Sequence, residues 1–168
     1  MKRAILNAAI TACLAIAGCS KQSAPPGPSA ATSAPAAQPA MAAWQQGDTA
    51  AAINRFVQSD WTRQPLFASD STLSLSEDQF KGLSAAERES RSTELKSQVE
   101  AFRKLASAVA EAGRDAAAEG DTALARKYFA SLQQCGTALQ GSNCLAIIQL
   151  VGKAIKKTGD TELAKIQP

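Results

Sequence analysis

The chain of 168 residues contains no histidine, so it lacks the side chain that serves most often as a general base near neutral pH. It also lacks the nucleophile motif Gly-x-Ser-x-Gly, a phosphate-binding loop and a dinucleotide-binding fingerprint. Without histidine or a second close pair of cysteines, zinc and haem sites are disfavoured as well. These absences predict a protein with no catalytic activity, no metal and no cofactor.

Two pairs of carboxylates keep one enzymatic alternative open. Asp70 with Glu77, and Glu87 with Glu89, are candidates for acid–base work in a hydrolase of the cell wall or of a polysaccharide. Surface carboxylates are far more often solvated charges or helix caps. The hydrolase is therefore the alternative to a binding role, and a deep acidic cleft would favour it.

The N-terminus has the pattern of an export signal. Met1-Lys2-Arg3 precedes an apolar run over residues 4–17 that is too short to span a bilayer. The run ends in Ile16-Ala17-Gly18-Cys19, which resembles the lipobox of bacterial lipoproteins. This resemblance implies that residues 1–18 are a cleaved signal peptide and that acyl chains, palmitate among them, anchor Cys19 to the membrane. An ordinary secretory signal with a chance cysteine is the alternative.

The same resemblance predicts where the protein works, which is the bacterial cell envelope. Ser20 follows the lipobox cysteine, whereas an aspartate at that position retains lipoproteins in the inner membrane of enteric-type bacteria. We therefore expect a lipid anchor in the outer membrane and a protein that faces the periplasm.

The charge of the mature chain is nearly balanced. Loss of Lys2 and Arg3 with the signal lowers the basic residues from 18 to 16, against 15 acidic residues. No polybasic tract is left, so neither nucleic acid nor an anionic lipid surface is expected as a partner.

Residues 19–39 are predicted to be the lipid attachment site followed by a spacer. Ala, Ser, Pro, Gly, Gln and Thr dominate this segment, which has no large apolar side chain to bury. The folded domain is therefore expected over residues 40–168. Its content of Ala, Leu, Glu, Lys and Gln, without clear period-two alternation, predicts an all-α domain of antiparallel helix hairpins.

Capping signals and apolar spacing predict where several helices begin. Asp48, Ser76 and Ser84 are of the residue types preferred as N-caps. Gln79 and Glu87 stand three residues after the two serines, which is the pattern of a capping box. An irregular stretch is expected at residues 62–75. The predicted helices cover residues 49–59, a short segment from residue 76 to residue 80, and a long amphipathic segment that ends near residue 118.

The motif Gly-x6-Gly-Asp-Thr-x2-Ala occurs twice, 39 residues apart, and part of it occurs a third time. The full copies begin at Gly113 and Gly152, and the partial copy begins at Gly47. Glycine tolerates the left-handed conformation that ends a helix, and the aspartate after it can cap the next helix. Each copy is therefore expected to mark a helix hairpin, in which the small residues let the two helices approach closely.

These hairpins resemble the tetratricopeptide repeat, in which W-x2-L-G-x2-Y is followed by A-x3-F. Ala52-x3-Phe56 and Ala125-x3-Phe129 match the second part, while Val109-x3-Gly113 and Ile148-x2-Val151-Gly152-x2-Ile155 match the first part loosely. The period is longer than the family's ~34 residues, and the last copy ends at Pro168 before its second helix is complete. The resemblance implies a stack of hairpins, and a small helical bundle with Gly-Asp caps is the alternative.

Cys135 and Cys144 are the cysteines of the mature chain that carry no lipid. In an oxidising compartment such a pair is expected to form a disulfide, which would join the end of one helix to the start of the next. A redox-active pair is the sharper alternative, although the spacing is not Cys-x2-Cys.

The tetratricopeptide resemblance also implies a binding face, because the first helix of each hairpin lines a concave groove in that family. In this register Arg114 and Lys153 hold equivalent positions, and Gln149 and Lys156 complete a stripe on the last helix. A mildly basic groove suits an acidic peptide or a chain-terminal carboxylate, and solvated surface charges are the alternative. The sequence therefore predicts a scaffold or assembly factor that holds an envelope protein or peptide.

Overall fold

The computed structural model describes residues 34–166 of the chain. The predicted signal peptide, Cys19 and most of the predicted spacer lie outside these residues. The described part contains six α-helices, one 3₁₀ turn and no β-strand, so the prediction of an all-α fold is confirmed. The elements are α1 Gln38–Gln45, α2 Thr49–Gln58, a 3₁₀ turn Thr72–Ser74, α3 Glu77–Gly82, α4 Ala85–Ala118, α5 Thr122–Gln140 and α6 Ala146–Lys165.

The predicted N-caps are confirmed for three helices. The Asp48 side chain accepts a hydrogen bond of 2.9 Å from the backbone N–H three residues further on, at the start of α2. Ser76 and Ser84 form reciprocal capping boxes with Gln79 and Glu87 at the starts of α3 and α4. From its capping box α4 continues for 34 residues without interruption, to the end that the apolar spacing predicts.

The folded part begins earlier than the sequence predicts. Ala36 and Ala37, which were assigned to the spacer, are buried. Their backbone N–H groups donate hydrogen bonds to the carbonyl oxygens of Pro65 and Leu66 at 3.2 and 2.9 Å. The segment thus pairs with the irregular chain before α3, and α1 follows directly, without a side-chain N-cap.

An aromatic cluster joins the N-terminal hairpin to α4. The Phe56 ring of α2 lies with its centroid 4.6 Å from that of Trp61 and 6.3 Å from that of Phe102 in α4. Phe67 meets Phe102 edge-on, with the ring centroids 5.8 Å apart. The buried Trp61 indole N–H donates hydrogen bonds to the Phe56 carbonyl oxygen and to the Ser131 hydroxyl, which ties α5 to the same cluster.

The copies of the Gly-Asp motif have different structural roles. Gly47 and Gly120 adopt positive φ angles of 78° and 86° and end helices, and Asp121 caps α5 as predicted. Gly159 and Asp160, the corresponding pair of the second full copy, lie inside α6. The prediction that this copy separates two helices is therefore wrong, whereas the resemblance to the tetratricopeptide repeat as a whole stays a prediction.

Close packing of α5 against α6 explains why the positions of Gly136, Gly152 and Gly159 take glycine within the helices. A Cβ atom on Gly159 would lie 2.7 Å from the Phe129 carbonyl oxygen, and one on Gly152 would lie 2.6 Å from the Leu139 Cβ. A Cβ on Gly136 of α5 would lie 2.5 Å from the Gly152 carbonyl oxygen. The glycines are thus contact points between two helix backbones. The predicted close approach of helices through small residues is confirmed at this interface.

Candidate interaction surface

Helix α4 is much longer than the helices that pack against it. It has 34 residues, compared with 19 in α5 and 20 in α6, which at 1.5 Å per residue gives about 51 Å against about 28 and 30 Å. The buried side chains of α4 begin at Phe102 and continue to Ala116, and residues 85–101 contain none. The N-terminal half of α4 is therefore only partly covered by the rest of the described chain.

A groove of about 940 Å³ runs along α4 from this half into the first turns of the C-terminal half, and we call it the α4 groove. It is bounded by α3, by one face of α4 over residues 92–107 and by the start of α6, and its surface is mostly apolar. Ile147 at its edge is 43% exposed, and Leu150, one turn further along α6, is 61% exposed. The apolar side chains that line the groove are Phe80, Leu95, Val99, Leu145 and Ile147.

Two hydrogen bonds fix the wall of the groove that α6 provides. The Glu77 Oε1 atom of α3 accepts from the backbone N–H of Ala146 at 2.9 Å and so caps a helix that has no cap of its own. The backbone N–H of Leu145 donates to the Leu75 carbonyl oxygen at 3.0 Å. The fold therefore holds the start of α6 in a fixed position beside α3 and α4.

The charged side chains of the α4 groove carry an excess of positive charge. Glu100 forms an ion pair of 2.8 Å with Lys104, and the hydrogen bond from Lys104 lowers the pKa of Glu100. The Glu77 carboxylate is engaged as the cap of α6. Lys96 and Arg103 form no ion pair within residues 34–166. Three cations thus face two carboxylates in the groove, and Glu77 is the one group without an ion pair there that is not cationic.

Arg114, one of the predicted partner-binding residues, belongs to an ion network between α4 and α6. Its Nε atom lies 3.0 Å from Glu162 Oε1, and the second oxygen of Glu162 accepts from Lys165 at 2.9 Å. The Glu162 side chain is only 11% exposed. The hydrogen bonds from Lys165 and Arg114 lower the pKa of Glu162 against the opposing effect of its burial. Arg114 therefore has a structural partner within the fold.

The other predicted partner-binding residues are not gathered with Arg114. The Gln149 amide donates to two carbonyl oxygens of the loop before α6, and Lys156 forms an ion pair of 2.6 Å with Asp160. Lys153 is exposed and forms no ion pair with another described residue. Arg114 borders a small cavity between α4 and α6, while Lys156 borders a different cavity beside α5.

Cys135 and Cys144 are two free thiols in the structure. Cys135 is fully buried in α5, and this burial raises its pKa well above the usual range. Cys144 is half-buried in the loop before α6. Their disulfide stays a prediction for the exported protein.

The candidate catalytic carboxylates are dispersed, and two of them are helix caps. Glu77 caps α6 and Glu87 closes the capping box of α4, where the hydrogen bonds from Ser84 lower the pKa of Glu87. Asp70 and Glu89 are exposed. Within residues 34–166 no three metal-ligating side chains form a cluster, and no helix is long and apolar enough to cross a membrane.

Comparisons with models of protein families, with curated proteins and with solved structures give no match. The α4 groove is therefore interpreted from its own geometry. Sequence reasoning missed the α4 groove, although one signal was present. The apolar stripe of α4 begins at Leu95, and the stretch from there to Ala118 is longer than α5 or α6.

Proposed function

We propose that this chain is a lipid-anchored protein of the bacterial envelope that holds a protein or peptide and catalyses no reaction. Acyl chains on Cys19 would anchor it to the outer membrane, and the domain would face the periplasm. The observation that carries the binding role is the α4 groove, which lies along the 34-residue α4 between α3 and the start of α6. A contiguous apolar surface of this kind is typical of interaction sites.

We favour binding over hydrolysis because of how the carboxylates are used. Glu77 and Glu87 are engaged with backbone N–H groups, and Glu100 is paired with Lys104. A glycoside hydrolase needs two carboxyl groups that face each other across the substrate. The α4 groove offers an apolar surface with excess positive charge instead.

Site-specific photocrosslinking in the envelope of the native bacterium tests the binding role. A photoreactive residue would replace Ile147 in the groove or, as a matched control, Leu124 at the start of α5, which is also apolar and is 37% exposed. We expect a discrete adduct from position 147 and none from position 124. Equal adducts from both positions, or none from position 147, would count against the groove as the binding surface.

The anchor is tested separately by Cys19→Ser. The variant should accumulate as unprocessed or soluble protein, because no other residue of the lipobox can be acylated through a thiol. Detergent fractionation and intact-mass measurement would follow the change. Membrane retention of the wild-type chain without any acyl mass on its first residue would contradict the proposal.

A further inference from the structure

We propose that the occupant of the α4 groove is an acidic amphipathic helix of a partner protein. Its apolar face would pack on the stripe of α4, and its carboxylates would pair with Lys96 and Arg103. This inference rests on the proposed binding role and adds the chemical class of the partner. It uses a surface different from the stripe of Arg114, Gln149, Lys153 and Lys156.

The length and spacing of the groove fit a helix. Residues 92–107 of α4 border it, which is about 22 Å at 1.5 Å per residue, or about four turns of a partner helix. Leu95 and Val99 are four residues apart on one face, and Phe80 of α3 and Ile147 of α6 line the same groove. Apolar residues at such steps along an uncovered helix are typical of surfaces that take the apolar face of a second helix.

The charges of the groove specify an acidic partner. Lys96 and Arg103 are seven residues apart, which places them two turns and about 10 Å apart along the same side of α4. The Glu100 carboxylate is paired with Lys104, and the Glu77 carboxylate is bonded to the start of α6. Arg103 also lowers the pKa of Glu100 through its charge, but it forms no ion pair with it. Carboxylates on a partner helix, also about two turns apart, would give Lys96 and Arg103 the ion pairs that they lack.

Two other occupants fit these observations less well. A second copy of this chain that pairs antiparallel on the same stripe would bring Lys96 of one copy beside Arg103 of the other, which is repulsive. An acyl chain is best held in a narrow, enclosed cavity. The groove edge at Ile147 is 43% exposed, which suits the broader face of a helix.

The probe is a labelled synthetic peptide of about four to five helical turns, with leucines on one face and glutamates beside them. A matched peptide carries lysine in place of every glutamate. The protein is the mature chain from residue 19 with Cys19→Ser, so that no attached acyl chain competes for the groove. Fluorescence anisotropy should show that the glutamate peptide binds and that its affinity falls as salt is raised, while the lysine peptide binds at least about ten-fold more weakly.

Charge reversal provides the decisive variant. Lys96→Glu combined with Arg103→Glu should weaken the glutamate peptide by about ten-fold or more and strengthen the lysine peptide, because both residues are exposed and the fold does not depend on them. The control is Lys127→Glu combined with Lys157→Glu, which makes the same change in net charge at exposed positions outside the groove. It should leave the preference for the glutamate peptide unchanged.

Several results would overturn the inference. Equal binding of both peptides, or no exchange of preference in the reversed variant, would rule out recognition by Lys96 and Arg103. Binding of palmitate without binding of the glutamate peptide would assign the groove to an acyl chain. A dimer in sedimentation that Val99→Glu dissociates would assign it to a second copy. In each case an adduct from position 147 in the envelope would still support the binding role.

Discussion

The two halves of α4 have the same apolar spacing but very different surroundings. In the C-terminal half, the residues from Phe102 to Ala116 include the buried ones: Phe102 packs in the aromatic cluster with Phe56 and Phe67, and Gly113 leaves room for the Phe129 ring of α5. A Cβ on Gly113 would lie 2.5 Å from an atom of that ring. In the N-terminal half, Leu95 and Val99 continue the apolar face into an open groove.

The difference shows that an apolar stripe on a helix predicts a packing contact. It does not predict whether the contact is made within the chain or with another molecule. Helices α5 and α6 are too short to follow α4 over its whole length. In the N-terminal half, one face of α4 bonds to Ser71 and Thr72 at the 3₁₀ turn, and the face that lines the α4 groove is the surface left for another molecule. The predictions below measure how sharply the two halves differ.

The largest contrast is expected from two substitutions of rings that pack beside the two halves of α4, Phe129 of α5 beside the C-terminal half and Phe80 of α3 beside the N-terminal half. Phe129→Ala removes a fully buried ring that packs on the C-terminal half of α4 and should lower the free energy of unfolding by about 3–5 kcal/mol. Phe80→Ala removes a half-buried ring beside the groove and should cost only about 1 kcal/mol. Urea unfolding followed by circular dichroism would measure both. Equal losses would mean that the groove residue is as much a part of the core as Phe129.

The predicted disulfide between Cys135 and Cys144 would further stabilise the α5–α6 hairpin against unfolding. Its reduction should lower the free energy of unfolding by a little under ~3 kcal/mol on the chain-entropy model, because the loop it closes is short. In the exported protein neither cysteine should react with an alkylating reagent before reduction. After reduction Cys144 should react first, since the Cys135 thiol is buried and its pKa is raised. Two thiols that are labelled without reductant would refute the bond.

A matched pair of glycine substitutions tests the α5–α6 interface. Gly136→Ala should destabilise the domain by about 1–3 kcal/mol, since its Cβ would lie 2.5 Å from the Gly152 carbonyl oxygen and backbone atoms cannot move aside easily. Gly82→Ala, where a Cβ would meet nothing within 4 Å, is the control and should be neutral or stabilising. Thermal unfolding of the two variants gives the comparison. A Gly136→Ala variant as stable as the control would contradict the close packing.

The smallest expected effect concerns the ion network of Arg114 and Glu162. The lowered pKa of Glu162 means that the network stabilises the fold above the ordinary carboxyl pKa of 4.5, and that this contribution is lost as the pH falls through the lower pKa of the folded state. Glu162→Gln should therefore cost roughly 1 kcal/mol at pH 7 and less in acid, with Arg114 half-exposed and partly screened by solvent. Urea unfolding at both pH values, with Glu89→Gln as the exposed control, would show the change. A cost that does not shrink in acid would argue against the ion network.

Local signals in the sequence predicted much of the helix layout. The N-caps at Asp48, Ser76 and Ser84 and the end of α4 follow from side chains within a few residues of each helix terminus. Helix α1 was missed because it has no capping side chain and follows a run of Ala and Pro that is typical of a linker. Its position depends on hydrogen bonds to Pro65 and Leu66, which are distant in sequence.

The wrong prediction for the second Gly-Asp copy has a physical cause. The same letters, Gly-Asp, end a helix at Gly120 and lie within one at Gly159, where the glycine serves instead to let α5 approach at a distance that excludes any side chain. That choice is made by tertiary packing and is invisible in the motif itself. The α4 groove depends in the same way on the relative lengths and positions of three helices, so the sequence could supply its residues but not their arrangement.

Hydrogen exchange measured by mass spectrometry tests the central claim most directly, by comparing the purified mature protein with the same protein in its native envelope. We predict that the backbone N–H groups of residues 92–101 exchange faster than those of α5 in the purified protein. In the envelope, residues 92–101 should become protected, while the exchange rates of α5 should stay the same. Equal protection of residues 92–101 and α5 in the purified protein, or no gain of protection in the envelope, would contradict the account of the α4 groove as an interaction surface.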